Sequence, residues 1–476
     1  MQKYKKIMLI APATQFGAYP PNGLLGIAAF LREKGLEIAV KDYSGEEINE
    51  KRIKEDLEKF NPDLVGIGVL TGPGIPRAIM VGKVAKELGK YVIWGGPHPT
   101  ILPNLTLKHP TVDAVIIGEA ENSFYDFINY LNGDIKEPYG CGFKDKNGEI
   151  QIMPPAKAFV NLNELPMPAW DLLGNIDKYF PYKKHNSVLI SASRGCIYRC
   201  GFCHNANKDV NDYQGPYKNL DAERVLKEFD FVTSLTKKHI DRTDIGGDLH
   251  FPTASYARKF SEDMIKSGRN IKWNSASTFY CMSEELADLI AKAGCESIMF
   301  GVESGSPRIQ RLLGKPINLD LAIKVTKKLR ENGVMVRCTY MMGHPTETLG
   351  EIGMTLDYMK KIPADENLLQ IYRPFPGTPY YELCVKQGKF KAPEKLEDCA
   401  TFGVLGYEVN MSDVPTQVLR KMFYKENFFL QLSYLINFQK FLLKNKMYEQ
   451  FFESFVQNRF TFKLKELLTI RSLQKA

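Results

Sequence analysis

The length and composition of the chain indicate a folded protein with more than one domain. Its 476 residues exceed what one ordinary core organises, and 44% hydrophobic with 25% charged residues exclude a disordered chain. The formal net charge of +8 permits anionic cofactors but gives no reason to expect nucleic acid as a partner.

Neither a signal peptide nor a membrane-spanning helix is predicted. The first apolar run, at 7–11, is too short for a signal-peptide core and lacks a cleavage site after it. No stretch approaches the roughly 18 uninterrupted apolar residues that span a bilayer. Of the nine cysteines, all but the three within 196–203 are scattered, which favours reduced thiols and a cytoplasmic location.

Residues 1–135 alternate strand-like and helical patterns, which predicts an α/β domain with a doubly wound, Rossmann-like parallel sheet. The strand-like runs are 6–11, 37–40, 63–70, 91–96 and 114–118. Ligands bind beyond the carboxyl ends of such strands, and here those ends carry glycine-containing loops. The loops together favour a ligand site, although each glycine alone could be a turn residue. The dinucleotide fingerprint and the Walker A sequence are both missing.

Residues 136–185 predict a connector with a hairpin around 146–148. A second strand–helix series follows over residues 186–385, which predicts a partial (β/α)6 barrel with its chemistry at the carboxyl ends of the strands. The predicted strands are 187–193, 242–247, 271–277, 297–304, 334–343 and 367–375.

The C-terminal region, residues 386–476, is predicted to be mostly helical and is rich in aromatic residues. From residue 411 on it holds 11 Lys and Arg against 5 Asp and Glu. A basic amphipathic helix can lie on a membrane surface, which makes peripheral membrane contact one interpretation. A helical cap that packs its aromatic side chains on the barrel is the favoured one.

Three cysteines, Cys196, Cys200 and Cys203, follow the first strand of the predicted barrel. Clustered thiolates select zinc or iron–sulfur centres. Structural zinc needs four ligands, yet no fourth cysteine is near and His204 directly follows Cys203. Three ligands on one loop instead favour a 4Fe–4S cluster that leaves one iron without a protein ligand.

These features resemble the radical S-adenosylmethionine (radical SAM) enzymes. The resemblance is carried by the Cys-x3-Cys-x2-Cys spacing, by Gly-Gly-Asp at the end of the second barrel strand, and by segments 301–315 and 340–348. It implies a 4Fe–4S cluster on the three cysteines whose open iron chelates SAM. Reductive cleavage of SAM would then give a 5′-deoxyadenosyl radical that takes hydrogen from the substrate.

The resemblance also implies a set of SAM contacts. The second strand usually ends in Gly-Gly-Glu in this family, whereas here Asp248 supplies a shorter carboxylate for the SAM amino group. For Glu303 the alternative is an ion pair at the barrel mouth. The implied contacts are Phe202, Gly246, Gly247, Asp248, Ser275, Ser277, Glu303, Ser304 and Gly343.

The order of motifs in residues 1–135 is similar to that of the cobalamin-binding branch of the radical SAM enzymes. The implied cobalamin contacts are Thr71, Gly72, Gly95, Gly96, Pro97, Gly118 and Glu119. The Asp-x-His-x-x-Gly motif that supplies a cobalt ligand in many cobalamin domains is missing from segment 11–23. The cobalamin is therefore expected to be base-off without a histidine from that loop. His98 is expected to be part of the loop structure.

Within that branch, the chain resembles the class B methyltransferases, which methylate an unactivated carbon via methylcobalamin. The implied partners are a small-molecule or lipid-like substrate and an external electron donor such as flavodoxin or ferredoxin. A cyclase, ring-contraction or rearrangement enzyme, with cobalamin non-methylating or absent, is the alternative. A non-catalytic carrier would not need the barrel. Methylthiolation of tRNA would need a second cysteine cluster, yet residues 1–140 contain no cysteine.

Overall fold

The computed structural model describes residues 3–12, 19–402, 409–448 and 450. Its N-terminal sheet consists of β1 Lys6–Ala11, β2 Glu37–Asp42, β3 Leu64–Gly68, β4 Tyr91–Gly95, β5 Ala114–Ile116, β6 Cys141–Lys144 and β7 Ile150–Ile152. The order is β2-β1-β3-β4-β5-β6-β7, with β1 to β5 parallel and the last two strands antiparallel. The predicted doubly wound parallel sheet is confirmed, and a hairpin extends one of its edges.

Helices cover both faces of this sheet, which explains why its strands are continuous apolar runs. In β1, Ile7 and Leu9 enter one core cluster while Met8 and Ile10 enter the other, because successive side chains of a strand point to opposite faces. The helices are α1 Asn22–Glu33, α2 Glu50–Phe60, α3 Ile75–Glu87, α4 Pro97–Ile101, α5 Pro103–Lys108 and α6 Ala120–Asn132.

The hairpin predicted around 146–148 is confirmed, and its strands β6 and β7 belong to the N-terminal sheet, which thus continues to Ile152. The chain between 153 and 185 then runs back along the N-terminal domain in short 3-10 turns. Trp170 and Phe180 are buried there with their rings stacked 6.2 Å apart. Both side chains belong to a core cluster that includes residues of both sheets, so this segment packs between the two sheets.

The second sheet is all parallel and has the order of a six-stranded partial barrel, β15-β14-β13-β12-β11-β8. Its strands are β8 Asn186–Ser191, β11 Ile240–Gly246, β12 Lys272–Ser277, β13 Cys295–Glu303, β14 Met335–Met342 and β15 Glu366–Ile371. A small antiparallel pair, β9 Ser193–Arg194 with β10 Lys218–Asn219, follows β8. The six predicted strand–helix units are confirmed.

The helices of the barrel begin where the sequence supplies a capping side chain. Asp221, Thr253, Ser283, Asn318 and Thr348 each accept a hydrogen bond from the backbone N–H three residues on, which satisfies a free donor of the first turn. The helices are α7 Lys208–Gln214, α8 Ala222–Ser234, α9 Ala254–Lys266, α10 Glu284–Lys292, α11 Pro307–Leu313, α12 Leu319–Glu331, α13 Leu349–Lys361, α14 Pro379–Lys386 and α15 Thr416–Lys444.

Helix α15 packs against the edge strand β15. Leu419 and Phe423 are buried in the barrel core, and the side chains of Asn427 and Asn437 donate to the carbonyls of Leu369 and Asp365, at 3.4 and 3.0 Å. The described part of the C-terminal region therefore acts as the helical cap. Residues 13–18 of the loop after β1 and residues 451–476 lie outside the described residues. None of the described helices has the length and apolarity needed to cross a membrane.

We expect Phe423→Ala to destabilise the protein by about 3–5 kcal/mol, because it opens a cavity between α15 and the barrel core. Phe429→Ala on the same helix is the matched control: its ring is 55% exposed, and the change should stay within about 0.5 kcal/mol. Urea unfolding followed by circular dichroism measures both. Equal effects of the two variants would contradict the packing of α15 on the barrel.

Candidate functional site

The three predicted cluster cysteines lie on one loop, 195–203, directly after β9. The turn is held by the backbone N–H of Cys203, which donates to Cys200 O at 2.8 Å. Gly201 ties the loop to two helices: its N–H donates to Leu313 O, and its carbonyl accepts from Tyr380 N, each at 3.0 Å. All three thiols are half-buried, so the loop presents them at the mouth of the barrel.

The chemistry of this loop fits an iron–sulfur cluster. Burial raises the pKa of the Cys196 thiol, and raises that of Cys200 to about 11 against the opposing charge of Lys315. Burial also acts on Cys203, but the hydrogen bond and charge of His204 lower its pKa on balance. The three thiols influence one another's charge, so a cation held among them would favour all three thiolates. Within the described ranges, no three His, Cys, Asp or Glu side chains form a site for a single metal ion. The three cysteines are therefore not arranged as the ligands of one ion.

The end of β11 brings Gly246, Gly247 and Asp248 against the cysteine loop. Gly247 has φ +132°, and a Cβ there would lie 2.2 Å from Ser193 Oγ, so this position requires glycine. Asp248 accepts a hydrogen bond from the backbone N–H of Gly195 at 2.7 Å through Oδ2. Its Oδ1 lies 3.3 Å from His204 Nε2. The structure thus places the predicted ammonium acceptor beside the predicted cluster.

Further predicted SAM contacts lie near the carboxyl ends of β12, β13 and β14, at the same edge of the barrel. Glu303 has φ +68° and forms a buried ion pair with Lys315 at 3.1 Å, which is the alternative weighed for this residue. Ser275 contacts His250 Nδ1 at 2.7 Å, and the hydroxyl of Ser277 lies 3.1 Å from Cys281 Sγ.

Three further predicted contacts have partners within the fold. The Ser304 hydroxyl accepts from Ser306 N at 3.1 Å, and the backbone N–H of Gly343 donates to Glu347 at 2.6 Å. Phe202 packs on a small cluster of buried side chains. Asp248 is thus a predicted SAM contact outside the cysteine loop that forms a hydrogen bond to it.

A second site lies in the N-terminal domain. A cavity of about 720 Å³ opens at the carboxyl ends of β1, β3, β4 and β5. Thr71, Gly95, Gly96 and Pro97 line it, together with many apolar side chains, whereas Gly72, Gly118 and Glu119 lie outside this lining. A Cβ added at Gly95 would project into open space, so glycine keeps the floor flat. The cavity fits a large, flat ligand with apolar faces, such as a corrin.

His98 lies behind the cavity and does not line it. Its ring is fully buried, and Nδ1 lies 3.1 Å from the hydroxyl of Thr71. Burial lowers the pKa of His98 to about 4, so the ring is neutral at pH 7. This placement agrees with the structural role expected for His98.

The acidic residues after β5 form the contact between the two sites. Arg194, two residues before Cys196, donates to Glu119 at 3.1 Å and to both oxygens of Glu121 at 2.6 and 2.9 Å. Lys218 also pairs with Glu119. Burial alone would raise the pKa of Glu121, but the charge and hydrogen bonds of Arg194 hold it below its usual value.

Glu119 is therefore placed at the domain junction instead of in the cavity. Gly118 also lies there, with φ +76° and no space for a Cβ against Tyr213 O. The sequence analysis missed Arg194. The sequence signal that could have identified it is an arginine two residues before the first cluster cysteine, together with two glutamates after β5.

Comparisons with known proteins agree with this architecture. The chain matches the Radical SAM superfamily over residues 190–359 and the B12 binding domain over residues 10–128. It is 30% identical over 399 residues to an uncharacterized methyltransferase of Pyrococcus horikoshii, which covers 80% of this chain and 84% of that relative. It is 25% identical over 464 residues to the cytidylyl-2-hydroxyethylphosphonate methyltransferase of Streptomyces wedmorensis. That match covers 83% of this chain and 84% of that relative.

The fold is also that of a solved structure. The radical S-adenosylmethionine methyltransferase TsrM from Kitasatospora setae, with cobalamin and a [4Fe-4S] cluster bound, superposes with a TM-score of 0.66 at 17% identity. The match covers 82% of this chain and 76% of that one. The two-domain arrangement is therefore shared with an enzyme of this class.

A three-cysteine loop at a barrel mouth and a glycine-floored cavity in the preceding domain define an enzyme that joins iron–sulfur radical chemistry to a corrinoid. The chain belongs to the cobalamin-binding family of radical SAM enzymes, as its two matched domains and its 30% identical relative show. Its cofactors are a 4Fe–4S cluster, SAM and cobalamin.

Arg194→Ala should destabilise the protein by about 3 kcal/mol, because it leaves the buried carboxylate of Glu121 without its charged partner. Arg194→Lys is the conservative comparison and should recover part of the loss, since one ammonium cannot reproduce the paired contacts to Glu121. Thermal unfolding measures both variants. Wild-type stability of Arg194→Ala would show that the junction does not depend on this ion pair.

Acid should destabilise the protein through His98. Between pH 6.5 and about 4 the unfolded chain protonates this ring and the folded chain does not, so stability falls as pH falls through that window. The fall is about 1.4 kcal/mol per pH unit for one group. We expect His98→Gln to show a shallower fall in urea unfolding between pH 5 and 6.5. The exposed His239, changed to Gln, should keep the wild-type slope.

Proposed function

We propose that this enzyme methylates an unactivated carbon of its substrate at the gap between the cysteine loop and the N-terminal cavity. One observation carries this assignment: Arg194, on the strand that leads into the cysteine loop, is bound to the acidic turn after β5, at the edge where the cavity opens. That junction holds the two cofactor sites in a fixed relation. Bound there, the cluster and cobalamin would supply reductive cleavage of SAM and methyl transfer.

The cysteine-loop residues have distinct roles in the proposal. Cys196, Cys200 and Cys203 hold the cluster. Asp248 accepts the SAM ammonium group, and Gly247 lets the backbone approach closely because no Cβ intervenes. His204 and the N–H of Gly195 keep the Asp248 carboxylate beside the loop, which offsets the shorter reach of Asp compared with Glu.

For cobalamin we propose binding in the base-off form, without a histidine ligand from the chain. The described wall of the cavity contributes no histidine, and the neutral ring of His98 already contacts Thr71 behind it. Thr71, Gly95, Gly96 and Pro97 would contact the corrin. Gly72, Gly118 and Glu119 do not line the cavity, and their contact with cobalamin stays a prediction.

The proposed surroundings of the reaction follow from the same features. Reductive cleavage needs an external one-electron donor, and the reduced thiols favour the cytoplasm.

A lipid-like substrate stays a prediction: its support was the aromatic C-terminal region, and Phe423 of that region packs into the barrel. Phe429 and Tyr448 are exposed, at 55% and 53%, and would be the residues to contact a membrane surface.

Product analysis tests the proposal. The anaerobically reconstituted enzyme, with reductant and SAM, should form 5′-deoxyadenosine, and should form S-adenosylhomocysteine only when cobalamin is added. Mass spectrometry measures both products. Deoxyadenosine that is indifferent to cobalamin would instead support cyclisation or rearrangement, the second candidate.

The same assay separates the two sites. Replacing Cys196, Cys200 and Cys203 by Ala should abolish bound iron and both products while cobalamin binding persists. Cys399→Ala, which removes a buried thiol outside the loop, is the matched control and should retain iron.

A further inference from the structure

The outer side of the cysteine loop carries an exposed apolar surface. Three large hydrophobic residues there are exposed to solvent. Their exposed fractions are 45% for Ile197, 43% for Tyr280 and 41% for Leu312. Arg199 and Arg311 are also exposed. We refer to Ile197, Arg199, Tyr280, Arg311 and Leu312 as the loop-side patch.

The five residues come from three segments that contact one another. The ring of Tyr198 stacks on that of Tyr280 at 5.7 Å, and the Tyr280 hydroxyl donates to Pro316 O. A Cβ on Gly314 would lie 3.7 Å from Arg199 O, so the end of α11 runs beside the loop. The three segments that carry the patch residues therefore adjoin one another.

The patch adjoins the cluster cysteines. Ile197 and Arg199 stand between Cys196 and Cys200 in the chain, and the Arg199 guanidinium donates to the Cys196 carbonyl. The two ends of the loop, at Gly195 and next to it at His204, contact Asp248 and therefore adjoin the proposed SAM site. An electron carrier docked on the patch would therefore lie beside the cysteine loop.

The chemistry of the patch selects the kind of carrier. Its charges are both positive, which attracts an acidic partner and speeds encounter. An apolar centre with a charged rim is the usual anatomy of a protein interface, and electron-transfer contacts are small. The aromatic and aliphatic side chains suit the apolar edge of an exposed flavin ring.

We infer that the loop-side patch is the docking site of an acidic flavodoxin that reduces the cluster. In this step one electron leaves the flavin hydroquinone, which becomes the semiquinone, and the cluster gains that electron. The inference rests on the proposed function, because it presumes that the three cysteines hold a redox-active cluster.

The test compares protein and chemical reductants. Anaerobic stopped-flow absorbance would follow cluster reduction by flavodoxin hydroquinone and, separately, by titanium(III) citrate. Arg311→Glu combined with Leu312→Ser should lower the second-order rate constant with flavodoxin about tenfold or more at low salt, and the difference should shrink as ionic strength rises. Reduction by titanium citrate and the cluster potential measured by EPR should match the wild type.

The matched control is Lys59→Glu, a charge reversal at an exposed position on α2 in the other domain. It should leave the flavodoxin rate unchanged. An unchanged flavodoxin rate in the patch variant would overturn the docking site, as would a loss seen only with a ferredoxin. A wild-type protein that titanium citrate cannot reduce would instead contradict the cluster assignment and thus the proposed function.

Discussion

The buried ion pair between Arg194 and Glu121 is the contact on which the architecture depends. Glu121 is almost fully enclosed, and a carboxylate there is tolerable only because a guanidinium binds both of its oxygens. The arginine belongs to the strand that leads into the cysteine loop, while the glutamate opens a helix of the N-terminal sheet. The pair therefore joins the domain that contains the cavity to the strand that leads into the cysteine loop.

Beside the cysteine loop, hydrogen-bonding partners hold the short side chain of Asp248 in place. A carboxylate one methylene shorter than the family's usual glutamate is held beside the loop by a backbone N–H and by His204. Nearby, Glu303 holds a left-handed backbone conformation and a buried lysine partner. Strained backbone of this kind persists only when the surrounding structure enforces it, and such residues cluster at functional sites.

The sequence was most informative where the signal is local. The strands were predictable because runs such as 6–11 and 91–96 are buried on both faces, and the hairpin because a turn sequence separated two short strands. The three cysteines were recognisable because their ligand spacing lies within eight positions. Contacts between residues far apart in the chain were not predictable. Arg194 and Glu121 lie 73 positions apart. For Glu303 an ion pair was weighed as the alternative, but its partner Lys315 was not predicted.

The same limit explains the predicted contacts that lie away from the cavity. A glycine looks the same in a sequence whether it makes room for a ligand or for a close backbone contact. Gly95 faces open space, whereas Gly118 faces the carbonyl of Tyr213. Only the packing of α7 against the N-terminal domain distinguishes the two.

The asparagines of α15 have a consequence for how the chain can be shortened. Asn427 donates to a carbonyl of β15 and Asn437 to the carbonyl of the residue before it, and the helix covers this edge of the barrel sheet. An uncovered edge strand is a template on which another chain can pair. A protein cut before residue 416 would keep every proposed cofactor ligand, yet it would expose that template and favour aggregates over a smaller enzyme.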